Sequence, residues 1–180
     1  MCCTAIVGAG GGLGLFAVQY AKAMGFIPIA VDGGEEKGRV CKEHGAAAYV
    51  DFEGSSSVID ELKKTTPDGL GPHAAVIVSS EEEPFSHASE YVRPMGTVVI
   101  VGIPADGYIK SQIWDTVARL VTIKGSLVGN RNDTDEAVEF FRRGLIQVPY
   151  QVVGLSQLKE TLEVLDHSKV IGRIIVDNSK

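Results

Sequence analysis

The glycine-rich segment at residues 8–14 is the clearest chemical signal in the sequence. It reads Gly-Ala-Gly-Gly-Gly-Leu-Gly and lies between a short apolar run and a helical pattern. Glycines placed there let the backbone approach a pyrophosphate closely, and the following helix offers free N–H groups and the positive end of its dipole. The match to the pattern G-x-G-x-x-G is imperfect because Ala9 stands at its first glycine, so the spacing of Gly8, Gly11 and Gly14 describes the loop better. The alternative is a glycine-rich turn that binds no ligand.

An aspartate follows at the distance typical of dinucleotide binding. Asp32 ends the second apolar run, 18 residues after Gly14. A carboxylate there can accept hydrogen bonds from both hydroxyls of an adenosine ribose, and it repels a 2′-phosphate. No arginine follows Asp32 directly, since Gly33 and Gly34 come next. Loop and aspartate together predict a dinucleotide site that prefers NAD over NADP. The alternative for Asp32 is a simple turn, because Asp-Gly is a common turn sequence.

Short apolar runs alternate with helical patterns along the whole chain. The predicted strands cover 4–7, 26–31, 47–50, 74–78, 97–101, a segment within 121–128, 152–154 and 171–176. The predicted helices cover 13–24, 35–44, 58–64, 85–92, 113–120, a stretch capped at Asp133 or Thr134 and ending at Gly144, and 156–167. This alternation predicts an α/β fold with a doubly wound, mostly parallel Rossmann sheet and helices on both faces. We expect a dinucleotide-binding Rossmann domain over 1–145 and a C-terminal segment over 146–180.

Composition and charge argue against several kinds of partner. The chain has 17 Lys and Arg against 23 Asp and Glu, a net charge of −6, whereas nucleic-acid binding needs a basic surface. Its longest apolar runs fall far short of the roughly 20 residues that span a bilayer, and its start lacks the basic segment of a secretory signal. Cys2, Cys3 and Cys41 suggest no disulfide framework. We therefore expect a cytoplasmic protein that binds neither nucleic acid nor a membrane.

Several segments resemble the zinc-dependent medium-chain alcohol dehydrogenases, in particular those of fungi. The matching segments are 11–14 (GGLG), 17–25 (AVQYAKAMG), 32–35 (DGGE), 101–104 (VGIP), 129–131 (GNR) and the ending from 172 to 180. The resemblance extends over essentially the whole chain. It implies an oxidoreductase with NAD as cofactor and a possible small-molecule substrate. It also implies that segment 146–180 returns to the family's catalytic domain.

The same resemblance implies which residues contact the cofactor. Those on the pyrophosphate and adenosine side are Gly11, Gly12 and Leu13 for the pyrophosphate, Asp32 and Lys37 for the ribose, and Phe52 for the adenine. Those on the nicotinamide side are Val101, Ile103, Ser126 and Val128, with Arg173 reaching back to the cofactor from the C-terminal segment. Each has a plainer interpretation: the apolar residues as core, Lys37 as a solvated helix charge, and Arg173 as a surface residue of an edge strand.

The chemistry of that family depends on zinc, which polarises the alcohol or carbonyl oxygen during hydride transfer. A catalytic zinc needs three protein ligands and an open position. In the family these ligands come from a separate domain and from a segment ahead of the first Rossmann strand, where this chain begins, and the four-cysteine structural zinc lobe has no counterpart here. The histidines show no metal-ligand spacing and stand at 44, 73, 87 and 167. We therefore expect no zinc in this chain, and no zinc-dependent hydride transfer by the chain alone.

Two other functions stay open at this level. One is a repurposed enzyme, a cofactor-independent isomerase, cyclase or lyase that uses the crevice where the strand order reverses. Polar residues expected near that crevice are Ser79, Ser80, Glu81, His87, Asp106 and Tyr108. His87 is the natural acid–base candidate because histidine titrates near neutrality, although an exposed helix histidine is the simpler interpretation, and no catalytic residue is assigned. The other is a non-catalytic interaction protein.

The resemblance also implies an oligomer. In the family, two Rossmann sheets join edge to edge through the strand that corresponds to 122–128. This region carries apolar side chains at Val121, Ile123, Leu127 and Val128, and an uncovered edge strand invites pairing. Segments 152–153 and 174–176, which would contact the family's catalytic domain, add further apolar surface. We expect a homo-oligomer, a dimer or larger.

Overall fold

The structure is a computed structural model that describes residues 2–147, 149–166 and 170–180. Eight strands and seven α-helices alternate along these residues, and none of those helices is long and apolar enough to cross a membrane. In chain order they are β1 (Cys3–Val7), α1 (Gly12–Ala23), β2 (Ile27–Asp32), α2 (Glu35–Glu43), β3 (Ala48–Asp51), α3 (Val58–Lys64), β4 (Ala74–Ile77), α4 (Glu83–Tyr91), β5 (Thr97–Ile100), α5 (Ile113–Ala118), β6 (Thr122–Gly125), α6 (Arg131–Arg142), β7 (Tyr150–Gly154), α7 (Leu158–Asp166) and β8 (Arg173–Asp177).

Six of the strands form one parallel sheet in the order β3-β2-β1-β4-β5-β6. The chain runs outward from β1 to β3 on one side, returns to β4 beside β1, and then runs outward to β6. A parallel sheet whose strand order reverses in this way opens a crevice at the carboxyl ends of β1 and β4. The predicted doubly wound Rossmann sheet is confirmed.

Neighbouring residues of β1 pack on opposite faces of this sheet. Val7 belongs to a buried cluster that includes Leu62 of α3 and Phe85 of α4. Ile6 belongs to a second buried cluster that includes Leu15 of α1. Because successive side chains of a strand alternate between its faces, both faces need an apolar cover. The helices provide it on both sides, as the sequence predicted.

The last two strands form a separate two-stranded parallel sheet. Its register pairs Tyr150 with Arg173 and Gly154 with Asp177. A parallel pair needs a crossover connection, which α7 supplies. The sequence pattern predicted both strands but not that they pair with each other. The division of the chain into 1–145 and 146–180 stays a prediction.

The edge strand of the large sheet is shorter than expected. β6 ends at Gly125, whereas the resemblance implied a strand as far as 128. Beyond it, the N–H of Ser126 still donates to the carbonyl of Ile100 at 2.8 Å. Val128 has a φ of 38°, which is incompatible with an extended strand, so pairing stops before it.

Helix α6 begins earlier than predicted, and its predicted cap at Asp133 or Thr134 is wrong. Asn130 is the N-cap, and its side chain accepts hydrogen bonds from the N–H groups of Asn132 and Asp133. The Asp133 carboxylate accepts in return from the Asn130 N–H at 2.8 Å. This reciprocal capping box places Asp133 inside the first turn of the helix rather than before it.

Helix α7, by contrast, begins two residues later than the predicted start at 156. A 3-10 turn at Leu155–Gln157 precedes it, and the regular helix starts at Leu158. The side chain of Gln157 accepts a hydrogen bond from the Gly154 N–H at 3.1 Å, which closes the turn at the end of β7. The predicted end of this helix at His167 lies outside the described residues.

Candidate functional site

The glycine-rich loop joins β1 to α1 at the carboxyl edge of the sheet. Gly8 has a φ of +84°, which glycine adopts without strain, and its N–H donates to the Val31 carbonyl at 2.9 Å. A Cβ on Gly14 would overlap the carbonyl oxygen of Gly8, so a glycine is needed for α1 to pack on the loop. Gly11 is the N-cap of α1, and no described side chain caps this helix. The N–H groups of its first turn therefore stay available to an anion.

Asp32 connects three parts of the site through one side chain. Only 6% of the residue is exposed. Its Oδ2 accepts a hydrogen bond from the Gly10 N–H and its Oδ1 accepts one from the Gly33 N–H, both at 2.8 Å. The Lys37 ammonium lies 2.7 Å from Oδ1 and forms an ion pair with it. A buried carboxylate needs such partners, and here they join the loop, the end of β2 and helix α2.

A cleft of about 1080 Å³ lies along the carboxyl edge of the sheet, beside Asp32. It is bounded by the glycine-rich loop, by the residues that follow β2, β3 and β4, and by α7 and β8. The residues implied by the resemblance that line it are Gly11, Gly12, Asp32, Lys37, Phe52 and Arg173. The implied residues that lie outside its lining are Leu13, Val101, Ile103, Ser126 and Val128.

The implied nicotinamide-side residues follow β5 and β6 at the same edge of the sheet. The Val101 N–H donates to the Ile77 carbonyl at 3.0 Å, so it continues the pairing of β5 with β4. The side chains of Ile103 and Val128 are largely exposed. The structure therefore places these residues after the carboxyl ends of β5 and β6, outside the lining of the cleft.

The segment before β8 crosses the first turn of α1. A Cβ on Gly12 would lie 2.6 Å from the carbonyl oxygen of Gly172 and 2.9 Å from the Arg173 Cδ, so this crossing requires glycine at position 12. The Arg173 guanidinium carbon lies 5.5 Å from the ring centre of Phe16, in a cation–π contact. The crossing brings a positive charge from the end of the chain to the helix terminus that faces the cleft.

Some residues of the cleft carried no signal in the sequence. Glu53 follows β3, and its place beside the end of β2 depends on a register that pairs Asp32 with Asp51. Aligning the carboxyl ends of the predicted strands 26–31 and 47–50 side by side would have placed Glu53 beside the turn that follows Asp32. Helix α7 contributes further residues from far along the chain, which are Leu158, Thr161, Leu162 and Leu165.

The polar residues expected near the crevice are divided between two places. Those that line the cleft are Ser79, Ser80 and Glu81. Those outside its lining are His87, Asp106 and Tyr108. His87 lies on the exposed side of α4, where its ring is 3.2 Å from the carboxylate of Glu90. An acid–base role for His87 in this cleft therefore has no geometric support.

Two titratable side chains beneath the site are uncharged at neutral pH. Burial raises the pKa of the Cys41 thiol to about 12, and the nearby charge of Asp32 acts in the same direction. Burial, followed by the charge of Asp51, also raises the pKa of Tyr49 well above its usual range. The Tyr49 hydroxyl donates to the Gly34 carbonyl at 2.8 Å. Cys41 is thus no thiolate nucleophile, and Tyr49 acts as a hydrogen-bond donor.

The described residues do not form a metal centre. No three His, Cys, Asp or Glu side chains among them are grouped closely enough to hold an ion. Cys3 and Cys41 are buried, Cys2 is partly buried, and all three are free thiols.

The sheet order, the glycine-rich loop and the buried aspartate at the end of β2 define a nicotinamide-dinucleotide-binding domain of the Rossmann class. Residues 12–143 match the family model of the zinc-binding dehydrogenases. The chain belongs to this family, and the resemblance seen in its sequence is confirmed.

The similar proteins agree with this assignment. The chain is 54% identical over 178 residues to "Alcohol dehydrogenase 1" of Neurospora crassa, a match that covers 99% of this chain and 50% of that protein. The alcohol dehydrogenase of the archaeon Aeropyrum pernix has a TM-score of 0.89 at 29% identity, covering 97% of this chain and 49% of that one. Acetophenone reductase of Geotrichum candidum, in complex with NAD, has a TM-score of 0.80 at 25% identity, covering 98% and 48%. The chain spans about half the length of the curated relatives it matches.

Proposed function

We propose that this chain binds NAD(H) in the cleft as the cofactor domain of an alcohol dehydrogenase-like oxidoreductase. The observation that carries the proposal is the buried Asp32 carboxylate, which is hydrogen-bonded to the Gly10 N–H of the phosphate-type loop. That contact holds a carboxylate, which can accept hydrogen bonds from ribose hydroxyls, beside the uncapped N-terminus of α1, which can bind a pyrophosphate. A dinucleotide needs both groups close together. The name of the Neurospora relative and the NAD in the acetophenone reductase complex support it.

The pyrophosphate would lie at the N-terminus of α1. Gly11, Gly12 and Leu13 are the first residues of that helix and its cap, and their backbone N–H groups attract an anion. The Arg173 side chain packs against Gly12 and adds a guanidinium charge on the same side. Binding there would offset part of the negative charge of the pyrophosphate.

The adenosine would lie at the opposite end of the loop, beside β2 and β3. Asp32 Oδ2 accepts one hydrogen bond from the described residues, and a carboxylate oxygen can accept a second from a ribose hydroxyl. Lys37 keeps its ammonium 2.7 Å from the other oxygen and can turn toward a second hydroxyl. The half-exposed ring of Phe52 offers an apolar surface to the adenine.

The nicotinamide would lie beyond the crevice between β1 and β4, toward β5 and β6. Val101 and Ile103 would flank the ring, and the backbone of Ser126 and Val128 would bind its carboxamide. All four residues follow the carboxyl ends of β5 or β6. That shared edge of the sheet and the family resemblance support these four positions.

When bound, NAD would exchange a hydride with a small-molecule alcohol or carbonyl compound. The residues of this chain bind and orient the cofactor for that exchange. Zinc-dependent polarisation of the substrate oxygen requires ligands that the described residues do not bring together. We therefore propose that the 180-residue chain does not perform this step by itself.

The negative charge of Asp32 favours NAD over NADP, because it repels a 2′-phosphate. Calorimetric titration with NADH and with NADPH tests both the binding of a dinucleotide and this preference. The chain is compared with Asp32→Ala and with Asp135→Ala, a control on the exposed face of α6 outside the cleft. Loss of the buried acceptor should weaken NADH binding by about 1.5–3 kcal/mol, roughly tenfold to more than a hundredfold. The control should bind NADH like the unmodified chain.

Circular dichroism must first show that Asp32→Ala is folded, because Asp32 also holds Gly10 and Lys37. NADH that fails to bind the unmodified chain would overturn the proposal. Equal losses of NADH affinity in Asp32→Ala and Asp135→Ala would show that Asp32 does not bind the cofactor.

We also propose a homo-oligomer and a cytoplasmic location. The oligomer is supported by exposed apolar side chains around the edge strand β6, including Trp114 (78% exposed), Leu127 (76%) and Val128 (89%). Cytoplasmic thiols are kept reduced, which suits the free Cys2, Cys3 and Cys41.

A further inference from the structure

The turn that follows Asp32 is held by residues of the neighbouring strand β3. The parallel register pairs Asp32 with Asp51, so the ends of β2 and β3 lie side by side. The Asp51 Oδ1 accepts a hydrogen bond from the Gly34 N–H at 3.1 Å. The Tyr49 hydroxyl donates to the Gly34 carbonyl at 2.8 Å. Both backbone groups of Gly34 are therefore already bonded to β3.

Glu53 brings a further carboxylate to this turn. Asp51 Oδ1 also accepts from the Glu53 N–H at 3.0 Å, which fixes the backbone where the chain leaves β3. The carboxylate of Glu53 then lies over Gly33, where a Cβ on residue 33 would be 2.6 Å from Glu53 Oε1. No described Lys or Arg forms an ion pair with Glu53, whereas Lys37 is paired with Asp32.

We propose that Glu53 is a second determinant of NAD preference, acting beside Asp32; this inference rests on the proposed function. A phosphate on the 2′-oxygen of a ribose bound at Asp32 would extend over the turn at Gly33 and Gly34. It would meet the Glu53 carboxylate there, while the nearby Lys37 ammonium is held in its ion pair with Asp32. The Gly34 N–H, which such a phosphate would use, already donates to Asp51. NADP is thus disfavoured at two positions that are 21 residues apart in the sequence.

The charges around the turn strengthen this effect. Helix α2 begins beside it with Glu35 and Glu36 in its first turn. Carboxylates at a helix N-terminus take up the favourable dipole interaction that a phosphate would otherwise gain. Loss of the Asp32 charge alone would therefore leave the carboxylates of the turn facing a 2′-phosphate, beside a Lys37 ammonium released from its ion pair.

The test is calorimetric titration of the 180-residue chain and of Glu53→Gln with NADH and with NADPH. Glu136→Gln is the matched control, since it makes the same charge change on exposed α6 and keeps the oxygen that accepts from Asn132. Loss of one negative charge a few ångströms from a 2′-phosphate should tighten NADPH binding about tenfold at low salt. NADH binding should change less than about twofold, and added salt should reduce the NADPH gain because it screens exposed charges.

Each result has one meaning. A gain for NADPH alone, absent from Glu136→Gln, supports the role of Glu53. If the chain binds NADH but Glu53→Gln leaves NADPH binding unchanged, or shifts both nucleotides equally, the role of Glu53 is wrong while the proposed function stands. If the unmodified chain binds no NADH, the proposed function fails and this inference fails with it.

Discussion

Gln19 and Gln147, 128 residues apart in the chain, form a reciprocal pair of hydrogen bonds. The Gln19 Nε2 donates to the Gln147 carbonyl at 2.9 Å, and the Gln147 N–H donates to Gln19 Oε1 at 2.7 Å. Gln19 is buried in α1, and its Nε2 also donates to the carbonyl of Leu15 at 3.1 Å. One side chain of the first helix thus holds the chain just before it enters β7. The site needs this connection because Arg173 pairs with Tyr150 of β7 and packs on Gly12.

Replacing Gln19 should therefore weaken the fold as well as the cleft. Gln19→Leu leaves the N–H and carbonyl of Gln147 without their partner, and we expect the free energy of unfolding to fall by about 1–3 kcal/mol in urea denaturation. Gln147→Ala is the control, because Gln147 contributes only backbone atoms to the pair. A loss as large in Gln147→Ala as in Gln19→Leu would show that the paired bonds are not what stabilises this contact.

Gly12 should tolerate no side chain, for a reason independent of phosphate binding. In Gly12→Ala the new methyl group meets the Gly172 carbonyl and the Arg173 side chain, so we expect a loss of about 1–3 kcal/mol in thermal denaturation without nucleotide. In Gly11→Ala the methyl group would lie 3.6 Å from the nearest atom, the Gly8 carbonyl oxygen, which is ordinary contact. That variant should therefore lose less stability than Gly12→Ala, because its cost is limited to the roughly 0.5–1 kcal/mol by which alanine is a poorer N-cap than glycine. Equal melting temperatures for the unmodified chain, Gly12→Ala and Gly11→Ala would contradict the close approach of the segment before β8 to Gly12.

Acid should weaken the attachment of β4 to β1 through His73. The ring Nδ1 accepts a hydrogen bond from the Cys3 N–H at 3.1 Å, which requires an unprotonated nitrogen. Burial, followed by the charge of Arg93, lowers the pKa of His73 below its ordinary value of 6.5. The unfolded chain therefore takes up this proton more readily than the folded chain. The contribution of unprotonated His73 to the free energy of unfolding is complete above pH 6.5 and decreases as the pH falls below that value.

Urea denaturation from about pH 8 down to about pH 5 measures this dependence. His73→Leu should be less stable at the upper end and should lose less stability across the range. The Asp68 carboxyl, whose pKa is lowered mainly by the Leu70 N–H, titrates at lower pH and does not contribute in this window. Parallel curves for the two proteins would exclude His73 as the source.

Multi-angle light scattering tests the proposed oligomer. At micromolar concentration we expect a dimer or larger species, and Leu127→Asp should shift it toward the monomer because the charge enters an apolar contact. Leu70→Asp places the same charge on a half-exposed leucine in the turn before β4, away from the edge strand, and should leave the mass unchanged. A monomeric unmodified chain would end the proposal.

Local sequence predicted most of the fold and part of the site. The strands, the helices on both faces and the glycine-rich loop follow from periodicity and glycine spacing, which act over a few residues. The cap of α6 was missed although it is local, because Asn130, Asp133 and Thr134 are all acceptable caps and only the capping box selects Asn130. The strand predicted within 121–128 is present, but the resemblance extended it to 128, whereas β6 ends at Gly125 and Val128 turns away.

The sequence by itself determined the class of the sheet, the loop that begins α1 and the carboxylate at the end of β2. These depend on neighbouring residues, whose steric and hydrogen-bonding preferences act whatever the rest of the chain does. Only the tertiary structure decided that Glu53 lies over Gly33, that Gly172 crosses Gly12, and that Gln19 holds Gln147. Each of these contacts joins distant segments, so it exists only after the sheet has set their register and the helices have packed on it.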